Sequence, residues 1–313
     1  MPEIVDDSHA HSDPRGRRVL VIGAAGNLGR RVVSSALAGH HHVTAFVRSR
    51  PMLEERRRAP LPAPLRIVEG DVLDRACLGP AMRDQDVVAS CAGNAFDGEG
   101  FVQVFDAISS MAEEVFGPGG RVWMLAGLAA LDIPGARRRG LDLPGVPRAY
   151  LSHGENLRRL ERSALAWTLV CPGPMIPATQ TSGSLELRAS IDTVPVAPPS
   201  WVRRMPGIAL ALFLKSKVPV LTVTYEDVAR FIVEHLCTIG TTHWLVTVWD
   251  LRFPHVKPPA RRAGGQDTVL RSNNASIAVY EATPLGAFLG PTALLSASIW
   301  ASRHAGRRPG NAA

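Results

Sequence analysis

The chain has 313 residues, 46% of them hydrophobic, and a formal net charge of +7. This is the composition of an ordinary folded protein, long enough for one large core or for a nucleotide-binding body with a smaller lobe. Residues 251–313 hold eight Arg or Lys against Asp267 and Glu281, so the first 250 residues are nearly neutral and the charge argues against a nucleic-acid partner.

The polar start, residues 1–16, reads as a flexible N-terminal arm. The first 40 residues contain no basic start followed by an apolar run and a small-residue cleavage site, so a cytoplasmic protein is expected. Cys77, Cys91, Cys171 and Cys237 are scattered without a C-x-x-C pair. That spacing fits free thiols in a reducing compartment better than a bridge framework or a metal site.

The run Val19 to Gly29, VLVIGAAGNLG, joins a buried strand to a glycine-rich turn and then to the helical stretch Leu28 to Ala38. Such a turn aims backbone N–H groups and a helix N-terminus at a pyrophosphate, which predicts a dinucleotide ligand. Gly23 would permit the tight turn, Gly26 the approach of the ligand, and Gly29 the close packing of helix on sheet. A second strand, His42 to Val47, delivers Arg48 and Arg50 where such folds read the adenosine ribose. With guanidinium groups there instead of a carboxylate, a 2'-phosphate is favoured, hence NADP(H), with NAD(H) as the alternative. The competing reading is that these arginines only open the solvated segment Arg48 to Arg58.

Further strands are expected at Arg17 to Ile22, Leu65 to Glu69, Asp86 to Ser90, Arg121 to Leu125 and Trp167 to Cys171. Helices are expected at Phe101 to Val115 and His153 to Ser163. Alternation of strand and helix predicts right-handed crossovers around a mostly parallel sheet, a Rossmann-like three-layer α/β fold. Asp71, after the third strand, either faces the adenine or caps a turn or helix beginning at Val72 or Leu73. Ser90 to Asn94, SCAGN, offers small residues beside the cofactor backbone. Residues 172–222 loosen into Pro, Gly, Ser and Thr and read as a small loop-rich substrate lobe. A short strand at Val218 to Thr222, a helix at Glu226 to Leu236 and a strand at His243 to Val248 complete a body spanning residues 17–250.

Residues 251–313 read as a basic linker and an apolar C-terminal tail. Within it, Pro284 to Ser302 is uncharged over nineteen residues, which approaches a membrane span but is interrupted by two glycines, Pro291 and several serines. The segment is a candidate contact with a membrane or a protein partner, or packs against the body.

These pieces together resemble the atypical short-chain dehydrogenase/reductase superfamily, in its NAD(P)H-binding group of NmrA-like and biliverdin-reductase-B-like proteins. The resemblance rests on VIGAAGNLG at 21–29, FVR at 46–48, EGDVLD at 69–74 and SCAGN at 90–94. It continues through MLAGLAALDIPG at 124–135, ERSALAWTLVCPGPM at 161–175 and TYEDVARFI at 224–232, in the expected order over about 210 residues. It implies cofactor contacts at Gly23, Asn27, Leu28, Arg48, Asp71, Val72, Ala92 and Gly93. The segment Cys171 to Pro174 resembles the family's R-P-G with cysteine in place of arginine.

Reductases of the wider superfamily use a Ser or Thr after the fifth strand and a Tyr-x-x-x-Lys on the next helix. Here Ala126 and Gly127 carry no hydroxyl, and Tyr150 has Gly154 in place of the lysine. His153 lies where biliverdin-reductase-B-like proteins also place a histidine, and it is the expected proton donor, with Tyr150 beside it; otherwise it only starts or decorates the helix. The expected activity is hydride transfer from NADPH to a flat electron acceptor such as a flavin, a quinone or a tetrapyrrole. The alternatives are a catalytically inactive NADP(H)-binding redox sensor or scaffold, and a structural or membrane-associated subunit.

Overall fold

The computed structural model describes residues 16–56, 65–178, 187–236, 243–250, 269–272 and 275–278. The first half forms β1 (Arg18–Ile22), α1 (Gly29–Ala38), β2 (His42–Val47), α2 (Arg50–Arg56), β3 (Leu65–Glu69), α3 (Arg75–Met82) and β4 (Val87–Ser90). There follow α4 (Glu99–Phe116), β5 (Arg121–Leu125), α5 (Leu151–Glu161), β6 (Ala166–Val170), β7 (Met175–Ile176) and β8 (Leu187–Ile191). The remainder is α6 (Ser200–Arg204), α7 (Gly207–Lys217), β9 (Val223–Thr224), α8 (Tyr225–His235), β10 (Trp244–Asp250), and the antiparallel pair β11 (Val269–Ser272) and β12 (Ala275–Ala278). The arm 1–15 and the uncharged segment 284–302 lie outside the described residues. Among the described residues, no helix is long and apolar enough to cross a membrane.

A central sheet of eight strands runs in the order β3-β2-β1-β4-β5-β6-β10-β8. Seven strands are parallel, and β8 closes one edge antiparallel to β10. Alternate residues of β1 serve opposite faces. Val19 and Val21 join one cluster with Val32 and Val33 of α1 and Phe231 of α8, while Leu20 and Ile22 join another with Met82 of α3, Ile108 of α4 and Leu157 of α5. Burial on both faces is why these strands read as unbroken apolar runs. Each large aliphatic side chain so removed from water contributes ~1.5–3 kcal/mol against the entropy of ordering the chain. The result is a Rossmann-like α/β fold with helical layers on either side of a mostly parallel sheet.

The chain moves outward from β1 to β2 and β3, then returns to place β4 on the other side of β1. Folds of this kind bind ligands in the crevice outside the strand C-termini at that reversal. The position of the site therefore follows from the strand order.

Several elements depart from the sequence reading. Val218 to Thr222 is not a strand: Val218–Leu221 forms a 3-10 turn with Pro219 in its first positions, and strand pairing begins only at Val223. Proline has no N–H to give to a ladder but has the φ a helical turn requires. The segment read as loop-rich contains the edge strand β8 and two helices, α6 and α7. Helix α7 escaped detection because GIALALFLKSK is apolar on both faces, leaving no 3.6-residue alternation to read. Helix α3 was hidden by Gly79 and Pro80 within it.

Helix α8 begins with a cap that its sequence makes explicit. The Thr224 hydroxyl oxygen accepts a hydrogen bond from the Asp227 backbone N–H at 3.0 Å. Thr224→Ala should lower stability by about 1 kcal/mol, read as a drop in the urea midpoint with unchanged slope.

Candidate functional site

The turn after β1 is built by the absence of side chains. Gly23 has a φ of +74°, and a Cβ there would lie 2.8 Å from the Ala92 backbone nitrogen. A Cβ on Gly29 would lie 2.2 Å from the Gly23 carbonyl oxygen. The turn is pinned between the segment after β4 and the start of α1, with Gly26 N–H donating to the Gly23 carbonyl at 2.9 Å. No side chain caps the N-terminus of α1 and its first turn contains no carboxylate, so its partial positive charge is left uncompensated. Asn27 is exposed at the tip, and the Leu28 side chain is buried beneath it. A cradle whose walls exclude a Cβ and whose helix end has no anion of its own fits a dinucleotide pyrophosphate.

The neighbouring strand ends supply the other predicted positions. Arg48 follows β2, is exposed, and has no ion pair among the described residues. Arg50 opens α2, its backbone N–H bonded to Glu69 Oε2 at 3.0 Å. Asp71 follows β3 and accepts from the Leu73 N–H at 2.9 Å, while the cap of α3 is Asp74, whose Oδ1 accepts from Ala76 N–H at 2.9 Å. Asp71 thus closes a turn and caps no helix. Val72 beside it is half-buried and packs against the core. After β4, Gly93 has a φ of +103°, and a Cβ there would strike the Phe101 ring at 2.3 Å. Asn94 is spent locally, accepting from the Phe96 N–H at 3.1 Å. Parallel pairing brings Gly23, Arg48, Asp71 and Ala92 to one edge of the sheet.

On the β5 and β6 side, His153 is 5% exposed. Its ring stacks on Tyr150 (centroids 5.8 Å apart, planes at 22°) and meets the edge of Phe101 at 5.4 Å. A Cβ on Gly127 would lie 3.0 Å from His153 Nε2, so the imidazole takes the space that a hydroxyl-bearing residue would need at that position. Gly154, in the place of the lysine, lies buried against Leu141, whose Cδ1 would be 3.3 Å from an added Cβ. Burial pushes the His153 pKa down to about 4, and its Nδ1 is buried without a partner. This corrects the expectation of a donor titrating near neutral pH: with apolar rings around it, the imidazole is neutral at pH 7 and offers one N–H, not an ammonium-like proton.

Cys171, in the position of the family arginine, is fully buried, its thiol pushed well above the usual range by burial. It cannot take over a contact with an anionic ligand. The loops around it are nonetheless locked: Leu128 N–H donates to the Pro172 carbonyl at 3.2 Å, and a Cβ on Gly173 would lie 2.0 Å from the Leu221 carbonyl oxygen.

Sequence reasoning missed the tie between the cradle and the far half of the chain. Arg31, which donates to the Asn27 carbonyl at 2.6 Å, forms an ion pair with Glu226 of α8 and lies over the Tyr225 ring at 5.0 Å. The other Glu226 oxygen accepts from the Ala178 N–H at 2.9 Å. No local signal pairs residues 195 positions apart. A separate cavity of about 610 Å³, lined by residues including Asp132, Arg139, Trp167, Asp192 and His243, opens at the opposite edge of the sheet.

The strand order, the glycine cradle and the reversal beside β1 define an NAD(P)-binding fold of the oxidoreductase type. The pattern of a family described as NAD(P)H-binding matches residues 23–194, and the chain belongs to that family, an atypical Rossmann-fold group. It is 27% identical over 177 residues to the uncharacterized protein YwnB of Bacillus subtilis, covering 54% of this chain and 78% of YwnB. Among solved structures it is similar to a candidate epimerase from Bacteroides thetaiotaomicron (20% identity, TM-score 0.56, 75% of this chain and 97% of the other). It is also similar to a candidate NADH-flavin reductase from Streptococcus pneumoniae (19% identity, TM-score 0.51, 75% of this chain and 100% of the other). These likenesses concern the fold.

The burial of His153 has a consequence for stability. The unfolded chain protonates this histidine near pH 6.5 and the folded protein only near 4, so the unfolded state binds more protons between those values. The contribution is complete above about pH 6.5 and is lost as pH falls toward 4, on the order of 1–2 kcal/mol by pH 5. Urea unfolding at pH 7 and pH 5 should show a larger loss for the native chain than for His153→Gln.

Proposed function

We propose that this protein is an NADPH-dependent reductase that transfers hydride to a flat, conjugated electron acceptor, of the flavin, quinone or tetrapyrrole type. The observation that carries the reading is the pairing of a complete dinucleotide cradle with a site lacking the hydroxyl and lysine of carbonyl-reducing relatives. A bound reduced nicotinamide would supply the hydride, and the acceptor would take its balancing proton from solvent.

Each residue then has a limited task. The backbone of Gly23, Gly26, Asn27, Leu28 and Gly29 holds the pyrophosphate. Arg48 contacts the 2'-phosphate and sets the preference for NADP(H) over NAD(H), Asp71 and Val72 border the adenine, and Ala92 and Gly93 admit the cofactor backbone. His153 acts as a neutral hydrogen-bonding and packing group under the nicotinamide end, with Tyr150 stacked above it, and needs no change of charge. Positioning of donor against acceptor is what such a site contributes to rate.

The neutral, enclosed imidazole and the glycine at position 154 also favour a second reading, an NADP(H)-binding redox sensor without turnover. Cofactor titration followed by NADPH oxidation with flavin, quinone and tetrapyrrole acceptors separates the two. The reductase reading expects turnover with at least one acceptor, and tight binding without turnover across the panel would favour the sensor. Arg48→Ala should weaken NADPH by about tenfold to a hundredfold, the worth of a charged hydrogen bond, and leave NADH within about twofold. Equal weakening of both cofactors would refute the 2'-phosphate assignment.

A further inference from the structure

Helices α6 and α7 turn apolar side chains to solvent as well as to the core. Their inner face is already served: Val202 and Leu210 pack with Ile133 and Leu143 in a small cluster of their own. On the outside, Trp201 is 60% exposed, Ile208 61% and Leu212 62%, with Met205 exposed between the two helices. Ile208 and Leu212 are one turn apart and form a single stripe on α7, continued at its C-terminal end by exposed Lys215. Single exposed apolar residues need no explanation, but this grouping on one short helix pair does.

The two helices themselves carry charge of one sign. Residues 193–225 contain no Asp or Glu and four basic residues, Arg203, Arg204, Lys215 and Lys217. Arg138 comes close to the start of α7, its Nη1 2.9 Å from where a Cβ on Gly207 would sit. A second copy of this face would bring the basic residues of two helix pairs together, which disfavours a symmetric dimer. An apolar stripe with tryptophan at one end and lysine and arginine around it matches the boundary between acyl chains and anionic headgroups.

We propose that the α6–α7 face is a membrane-docking surface that seats on bilayers bearing anionic headgroups. Ile208 and Leu212 enter the acyl boundary, Trp201 lies at headgroup level, and Arg204 and Lys215 meet the lipid phosphates. The contact is peripheral and reversible, since two short helices bury little apolar area and neither is long enough to cross a bilayer. It does not depend on which acceptor the catalytic site uses.

Flotation of the full chain with vesicles tests this, using phosphatidylcholine alone and phosphatidylcholine mixed equally with phosphatidylglycerol. The native protein should float with the anionic vesicles at low salt and be released at high salt, and should bind the neutral vesicles weakly. Ile208→Glu with Leu212→Glu should reduce binding to below about a tenth. Arg204→Gln with Lys215→Gln, both at exposed positions that leave the core untouched, should weaken it roughly 30-fold. NADPH binding and thermal melts of both variants should match the native chain.

Three results would overturn the proposal. One is a native chain that stays unbound to anionic vesicles. Another is binding that survives both double variants but disappears when residues 284–302 are deleted, which would assign the contact to the tail. The third is a native dimer, by light scattering, that Ile208→Glu with Leu212→Glu converts to monomer, which would make the face a protein interface.

Discussion

The structure depends on a place where no side chain fits. Between β1 and α1 the backbone passes so close to itself and to the segment after β4 that methyl groups on Gly23 or Gly29 would overlap main-chain atoms. This contact draws α1 down onto the sheet and seats its N-terminus over the gap between β1 and β4. The strand ends carrying Arg48, Asp71 and Ala92 are then placed by ordinary parallel pairing, at a fixed spacing from that helix end. A larger residue at either glycine would have to move the helix, and the geometry of every other candidate contact would move with it.

The same economy of space shapes the chemistry on the other side of the crevice. His153 crowds the space above Gly127 and Leu141 that beside Gly154, so a serine or a lysine of the usual reductase pattern would have to displace a neighbouring side chain. The aromatic surround of Phe101 and Tyr150 that holds the imidazole in place also removes its charge. The proposed flat acceptor is consistent with this enclosure, because it asks for position above the cofactor more than for a proton from the protein.

Much of this was legible in the sequence where burial is two-sided. Strands β2 and β5 run over the very residues that the apolar runs indicate, and the glycine spacing marks the turn and its neighbours. Legibility fails where a pattern has two causes or none. The apolar residues of α7 serve both the core and the exterior and therefore carry no period, and β8 is an edge strand recruited by β10 from a segment rich in small polar residues. The state of His153 could not be read from its own segment, since it depends on the ring of Phe101 from α4 as well as on Tyr150 at the start of its own helix. The Arg31–Glu226 pair is invisible for the same reason, being a product of α1 lying beside α8.

That pair has a temporal side. Helix α1 and the glycine turn leave the ribosome before α8, and the carboxylate that anchors Arg31 lies 195 residues downstream. At roughly 5–20 residues per second, the interval is on the order of ten to forty seconds, during which the flank of α1 that meets Val228 and Ile232 of α8 has no cover. The cradle is therefore made well before the contact that finishes it, and a nucleotide meeting it in that interval finds a helix end not yet held in place.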